Sequence, residues 1–242
     1  MFILFTDFGS SGPYTGQIEA KLNSLAPNIP TIQLISNALS FNPKLCAYLL
    51  SALEKEFHNG SIFLCIIDPG VGSKRLPLAI EADKKWFIGP DNGIISQIVK
   101  NAKNIKIKTI KWIPKKLSAS FHGRDLFAPV AAKIAVGDLS CLSEYPKKKI
   151  IGNNWPEDLF QIIYIDRFGN AMTGLRSKNI NPKACIKIGK HLLKGHRTFS
   201  DVKPKEVFWY INSNNLVEIA ANLSSAKKEL NLKIGTPIKV IN

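Results

Sequence analysis

Residues 61–67 read Ser-Ile-Phe-Leu-Cys-Ile-Ile, an apolar run without polar alternation that stops on Asp68-Pro69-Gly70. A run this short, rich in branched and aromatic side chains, is the pattern of a strand buried on both faces of a parallel sheet. Such a strand needs cover on both sides, and parallel neighbours reach each other through crossover helices. The surrounding sequence has that rhythm. Residues 2–5 are a short apolar strand leading into Thr6-Asp7-Phe8-Gly9. Tyr14, Ile18, Leu22 and Leu25 then recur at helical spacing until Pro27. Thr31–Ile35 is a second strand. Asn42-Pro43 supplies an N-cap and a first helical residue for a helix with Leu45, Tyr48, Leu49 and Ala52 on its face. Residues 78–82 and 86–88 are expected to pair as strands, 94–99 to be helical, and 105–110 to be a half-exposed strand. Residues 125–136 are expected as a helix closed by Gly137. The expectation is an α/β domain with a mainly parallel sheet over residues 1–145.

Beyond Gly137 the texture changes. Pro146, three consecutive lysines, Gly152, Asn153-Asn154 and Pro156 give residues 146–158 the composition of a linker. From 159 onward short β-like runs (160–165, 184–188, 207–211, 216–221 and 237–241) alternate with turn residues, with one short helix at 224–230. Residues 159–242 are therefore expected to form a small antiparallel β-barrel.

The formal charge is +15. An excess of this size attracts nucleic acid or anionic membranes. Here 28 of the 33 basic residues are lysines spread along the chain, which favours a solvated basic surface over a nucleic-acid face. Of the five arginines, Arg75, Arg124 and Arg167 sit inside motifs. The four cysteines are far apart, with no CxxC pair to suggest a zinc site or a disulfide framework. No apolar run approaches the length of a membrane span, and the N-terminus lacks the features of a signal peptide, so a cytoplasmic location is expected.

Five loops carry groups suited to chemistry, each at a strand's end or opening a helix, where α/β sheets bind ligands. Thr6-Asp7-Phe8-Gly9 places a carboxylate where it can accept hydrogen bonds from ribose hydroxyls. Asp68-Pro69-Gly70-Val71-Gly72-Ser73-Lys74-Arg75 puts an acid and an arginine at the two ends of a tight loop, without P-loop spacing. Gly89-Pro90-Asp91-Asn92-Gly93 is a turn signature whose Asn92 is placed to cap the next helix. Phe121-His122-Gly123-Arg124-Asp125 sets a histidine at a helix start, where it can exchange a proton near neutral pH. Ile165-Asp166-Arg167-Phe168-Gly169-Asn170 combines an acid for an ammonium, an aromatic to stack a base and an amide to read its edge. Asn212-Ser213-Asn214-Asn215 before Glu218 reads as a hairpin turn. His58, His191 and His196 lie in polar or basic stretches and are expected at the surface. There is no GxSxG nucleophile elbow and no metal-ligand spacing. The residues alone point to a hydrolase or transferase acting on a nucleoside-like ligand. A metal-dependent phosphoesterase built on Asp7, Asp68, Asp91 and His122, or a basic nucleic-acid-binding protein, are the alternatives.

Taken in order and spacing, these five motifs resemble the S-adenosyl-L-methionine hydroxide adenosyltransferases, relatives of the fluorinating and chlorinating enzymes that use the same substrate. The resemblance covers essentially the whole chain. It implies an α/β domain followed by a β-barrel, and hydrolysis of S-adenosyl-L-methionine to adenosine and L-methionine with no metal or cofactor. It also implies a homotrimer whose site lies between one subunit's N-domain and its neighbour's C-domain. By the resemblance, Asp68, Arg75 and His122 position and activate water. Asp7 binds the ribose, Phe168 and Asn170 contact adenine, and Phe121 lines the pocket. Asp166 and Ser213 contact the methionine portion, which Glu218 and the backbone near Asn222 and Leu223 complete. Three positions depart from the family pattern: Gly12 where a second Asp is usual, Asn37 where His is common, and Asn214 where the halogenating relatives are basic. Those relatives also carry an insertion after the loop matching 68–75 and a hydroxyl residue at the position of Gly123. Both differences favour water as the nucleophile here.

Overall fold

A computed structural model of the chain describes residues 1–241. It divides into two units, Met1–Trp155 and Pro156–Asn242. In the first unit β1 (Phe2–Thr6), α1 (Tyr14–Leu25), β2 (Thr31–Ile35), α2 (Pro43–Leu53), β3 (Ile62–Ile66), β4 (Pro77–Ala82), β5 (Lys85–Pro90), α3 (Ser96–Asn101), β6 (Ile105–Ile110), α4 (Ala128–Ala135) and β7 (Leu142–Glu144) follow in order. The seven strands form one sheet, β2-β1-β3-β5-β4-β6-β7. The apolar run becomes β3, buried at every residue and paired in parallel with β1 and β5.

One half of this sheet is parallel and the other is not. β4 runs antiparallel to both β5 and β6, and β7 is antiparallel to β6. The cause is local. Asp83 and Lys84 join β4 to β5 with φ of 45° and 66°, and two such residues make a hairpin turn that only antiparallel strands can share. Five of the seven strands still point the same way, because β4 restores the direction of β6. The sheet is covered on one face by α1 and α4, whose Ile18, Leu22, Val130 and Ile134 pack with Phe2, Leu4, Ile62 and Leu64. Fully burying such a side chain contributes about 1.5–3 kcal/mol. The oppositely directed Ile3, Phe5, Phe63 and Phe87 are equally buried.

The helix signals are met for α2 and only in part for α4. Asn42 caps α2 by accepting from the Leu45 amide at 3.2 Å, with Pro43 as first residue. The helix expected at 125–136 is split: Gly123–Phe127 form a π-helical turn and α4 follows, with Gly137 at φ 82°. Residues 146–155 of the expected linker belong to the first unit. The Asp91 carboxylate accepts from the Ile151 amide and the Tyr145 hydroxyl, and Lys44 lies over the Trp155 ring.

The second unit contains β8 (Leu159–Ile165), β9 (Ala171–Arg176), β10 (Cys185–Ile188), β11 (His191–Leu193), β12 (Val207–Ile211), β13 (Leu216–Ala221), α5 (Ala226–Glu229) and β14 (Lys239–Ile241). The sheets β12-β13-β9-β8 and β11-β10-β14 are both antiparallel and share one core around Ile162, Leu175, Ile186, Trp209, Val217 and Ile219. β9 carries only a weak sequence signature of a strand, because Gly174 interrupts it. Gly174 is required there: a Cβ would sit 2.8 Å from the Leu159 carbonyl of β8. Among the described residues no helix is long and apolar enough to cross a membrane.

Candidate active site

β3 delivers Asp68 at its carboxyl end, and the following loop folds back to bring Arg75 onto it. Arg75 Nε donates to Asp68 Oδ1 at 2.7 Å, and Nη2 donates to Oδ2. The same Nη2 lies 3.0 Å from His122 Nδ1. The Asp68 and Arg75 side chains are almost entirely withdrawn from solvent. The two loops meet because Gly72, at φ 79°, has no Cβ; one would lie 2.7 Å from the Ala119 carbonyl. The three residues singled out for chemistry are thus in direct contact.

A guanidinium has only donors, so His122 Nδ1 must accept and the neutral ring carries its proton on Nε2. Burial holds the His122 pKa below the ordinary value. The Arg75 charge adds to this, and Asp68 and Asp125 partly oppose it. His122 therefore enters neutral pH as an uncharged donor through Nε2–H.

A small cleft of about 110 Å³ joins Asp7, Phe41, Asp68, Phe121 and His122. Asp7 stands at the end of β1. Burial raises its pKa against the opposing hydrogen bond of Ser40, and nearby Asp68 adds repulsion. Phe121 is fixed by edge-on contacts to Phe8 and Tyr14, with ring centres 5.9 and 5.3 Å apart, and by Arg124 over its ring. Phe41 was not foreseen. It is 81% exposed at φ 62°, an unusual backbone state for an aromatic residue. The segment before it has no periodic pattern that could have flagged it. The phosphoesterase quartet does not assemble, because Asp91 is buried and committed to Ile151 and Tyr145.

In the second unit a pocket of about 700 Å³ gathers Asp166, Phe168, Asn170, Ser213, Glu218 and Leu223. Asp166 and Asn170 close their turn on each other: Oδ1 accepts from the Asn170 amide at 2.8 Å and Oδ2 from its Nδ2 at 3.1 Å. Phe168 projects from that turn, 75% exposed. Gly169 makes the turn possible at φ 88°, pressed against Ser225. Glu218 is buried. Tyr210 Oη donates to one of its oxygens at 2.8 Å and Asn212 Nδ2 to the other at 2.6 Å. Burial nonetheless raises its pKa, with Asp166 adding to the rise. Tyr210, Asn212, Met172 and Phe199 line this pocket too and were not anticipated. Tyr210 was findable, since the hairpin places it directly opposite Glu218. Asn222 does not line this pocket. Its side-chain amide donates to the Val202 carbonyl, and its backbone pairs with Glu206 and Lys205.

Models of the SAM hydroxide adenosyltransferase N-terminal and C-terminal domains match residues 2–142 and 160–239. The chain belongs to the SAM hydroxide adenosyltransferase family. An (R)-S-adenosyl-L-methionine hydrolase of Methanocaldococcus jannaschii is 30% identical over 98% of this chain and 94% of that protein. One from Thermus thermophilus is 29% identical over 98% and 97%. A fluorinase from Actinopolyspora mzabensis is 20% identical over 97% and 95%. Among solved structures, an uncharacterized conserved protein from Thermotoga maritima has a TM-score of 0.89 at 24% identity over the full length of both chains, a likeness of fold. A conserved hypothetical protein from Thermus thermophilus has a TM-score of 0.78 at 27% identity over 99% of each chain. In SAM hydroxide adenosyltransferase terms, the cleft lies in the N-terminal domain and the larger pocket in the C-terminal domain.

Proposed function

We propose that the protein hydrolyses S-adenosyl-L-methionine to adenosine and L-methionine by attack of water at the ribose 5′ carbon. The observation that carries this reading is the contact of Asp68, Arg75 and His122 at one cleft. The sulfonium leaves as a neutral thioether, so the leaving group needs no acid. The reaction needs an oriented oxygen in line with the carbon–sulfur bond, held away from bulk water. Each Asp68 oxygen keeps a lone pair beyond its guanidinium bond and takes the proton that water loses as the carbon–oxygen bond forms. His122 Nε2–H orients the oxygen, and Arg75 holds acid and imidazole in one geometry. Asp7 takes the ribose hydroxyls. Phe168 and Asn170 take the adenine, and Asp166, Ser213 and Glu218 the amino-acid end. No step calls for a cofactor.

The curated hydrolases named above support the (R) sulfonium epimer as substrate. The family supports a homotrimer in which the first unit of one copy and the second unit of a neighbour serve the same substrate, and a barrel reading of the two antiparallel sheets. Chromatography of products after incubation with (R)-S-adenosyl-L-methionine tests the activity. Equal release of adenosine and methionine is expected; adenine or methylthioadenosine instead would contradict it.

A further inference from the structure

The Gly89–Gly93 turn is absorbed by neither pocket, and its role as a helix cap is not what the structure shows. α3 starts at Ser96, and its N-cap, Ile95, has no side-chain bond. The turn sits instead beside the loop that carries Asp68 and Arg75. The ladder between β3 and β5 ends at Leu64 and Ile88, after which the two chains are pressed together. A Cβ on Gly89 would lie 2.4 Å from the Cys65 carbonyl.

Just beyond, Asn92 Nδ2 donates to the Ile67 carbonyl at 2.8 Å, while Oδ1 accepts from the Ile94 amide at 3.2 Å. Both partners are backbone groups of fixed polarity, so the carboxamide has one orientation. One residue earlier, the Asp91 amide donates to the Leu76 carbonyl at 2.8 Å. Ile67 immediately precedes Asp68, and Leu76 immediately follows Arg75. A single turn therefore holds both shoulders of the Asp68–Arg75 loop.

Ile67 is fully buried, so water is poorly placed to replace the Asn92 donor. The Ile67 carbonyl and the Asp68 nitrogen share one rigid peptide plane. Turning that plane swings the Asp68 carboxylate relative to Arg75 and His122. We infer that Asn92 is a positioning residue for hydrolysis, setting through this plane the direction in which Asp68 faces its substrate. The inference rests on the role given to Asp68 under the proposed function.

Asn92→Asp tests it, because the variant keeps the acceptor for Ile94 and loses the donor for Ile67. Adenosine release is followed by steady-state kinetics beside wild type and Tyr145→Phe, which removes a bond to the same turn from its other side. For Asn92→Asp, kcat is expected to fall about 10-fold or more, the scale of a small misplacement at a reacting group. KM should stay within about threefold, and Tyr145→Phe should keep kcat within about twofold. If Asn92→Asp does not fold, as judged by circular dichroism, Asn92→Ser replaces it. A folded Asn92 variant with wild-type kcat, a loss confined to KM, or an equal loss in Tyr145→Phe would overturn the inference. Wild-type protein that releases no adenosine would contradict the hydrolase reading itself, and the inference falls with it.

Discussion

Arg75 divides one guanidinium between two acceptors, and that division sets the protonation state of the site. Because Nη2 donates to His122 Nδ1, a protonated imidazole would turn a hydrogen bond into a clash of donors and charges. The His122 pKa is held below its ordinary value of about 6.5, so the ring charges only at more acidic pH. The sign follows: kcat is flat through neutrality and falls on acidification below the usual histidine range. Stability falls in the same window, between the unfolded and the lower folded pKa, because there the unfolded chain binds the extra proton. Burial also raises the pKa of Asp7 and of Glu218, so both carboxylates are further candidates for the acid limb. His122→Gln isolates the histidine contribution: a pH–kcat profile with the same acid limb in that variant would assign the limb to the carboxylates. Phe168 makes a second prediction. The Phe168 ring is 75% exposed on a tight turn, and if it takes the adenine as proposed, Phe168→Ala should weaken adenosine binding by about 1–3 kcal/mol, the scale of base stacking. Unchanged affinity by calorimetry would contradict that role. Asp68, Arg75, His122 and Phe168 were legible because each stands in a short motif at a loop. The tautomer of His122 and the Asn212 donor on Glu218 were not, since they depend on side-chain contacts that no local spacing specifies.

At the scale of elements, the parallel strands and α1, α2 and α4 were legible from apolar periodicity, and the turns less so. Asp83-Lys84 adopts a hairpin conformation usually taken by Asn-Gly or Asp-Gly, so the turn type carried no local signature although the pairing of 78–82 with 86–88 was expected and is observed. The 146–155 segment reads as linker by composition, yet the Asp91 carboxylate accepts from its Ile151 amide and Lys44 lies over its Trp155 ring, contacts that no local pattern reveals. The π-helical turn after His122 has a consequence for the choice of nucleophile. Its first residue, Gly123, is packed between α1 and β3: a Cβ would lie 3.1 Å from Ile18 Cδ1 and 3.2 Å from Ile66 Cδ1. A hydroxyl residue at this position, as the sequence resemblance attributes to halogenating enzymes, would need those two isoleucine methyls to give way by a few tenths of an ångström. Without that donor, and with Asp68 lining the cleft, a halide loses its hydration shell and gains little in return. Concentrated fluoride or chloride is therefore expected to yield no 5′-halogenated adenosine. Mass spectrometry showing such a product at a rate near that of adenosine would contradict this account of the cleft.

For the whole molecule, two units with separate cores each carry a pocket: one lined by Asp7, Asp68 and His122 in the first, one lined by Phe168 and the buried Glu218 in the second, and the proposed function needs both. Sedimentation equilibrium is expected to give a trimer, and a fully active monomer would contradict the shared-site arrangement. The formal charge of +15 is carried mostly by lysines dispersed along the chain. The central claim is that solvent oxygen, placed by Asp68 and His122, displaces a sulfonium at the ribose 5′ carbon. It is tested most directly by incubating the protein with (R)-S-adenosyl-L-methionine in ¹⁸O-labelled water, with and without a chelator, and reading the products by mass spectrometry. The account predicts one ¹⁸O in the 5′ hydroxyl of adenosine, unlabelled methionine, and the same rate with chelator present. Unlabelled adenosine, or adenosine formed only when a divalent metal is supplied, would contradict it.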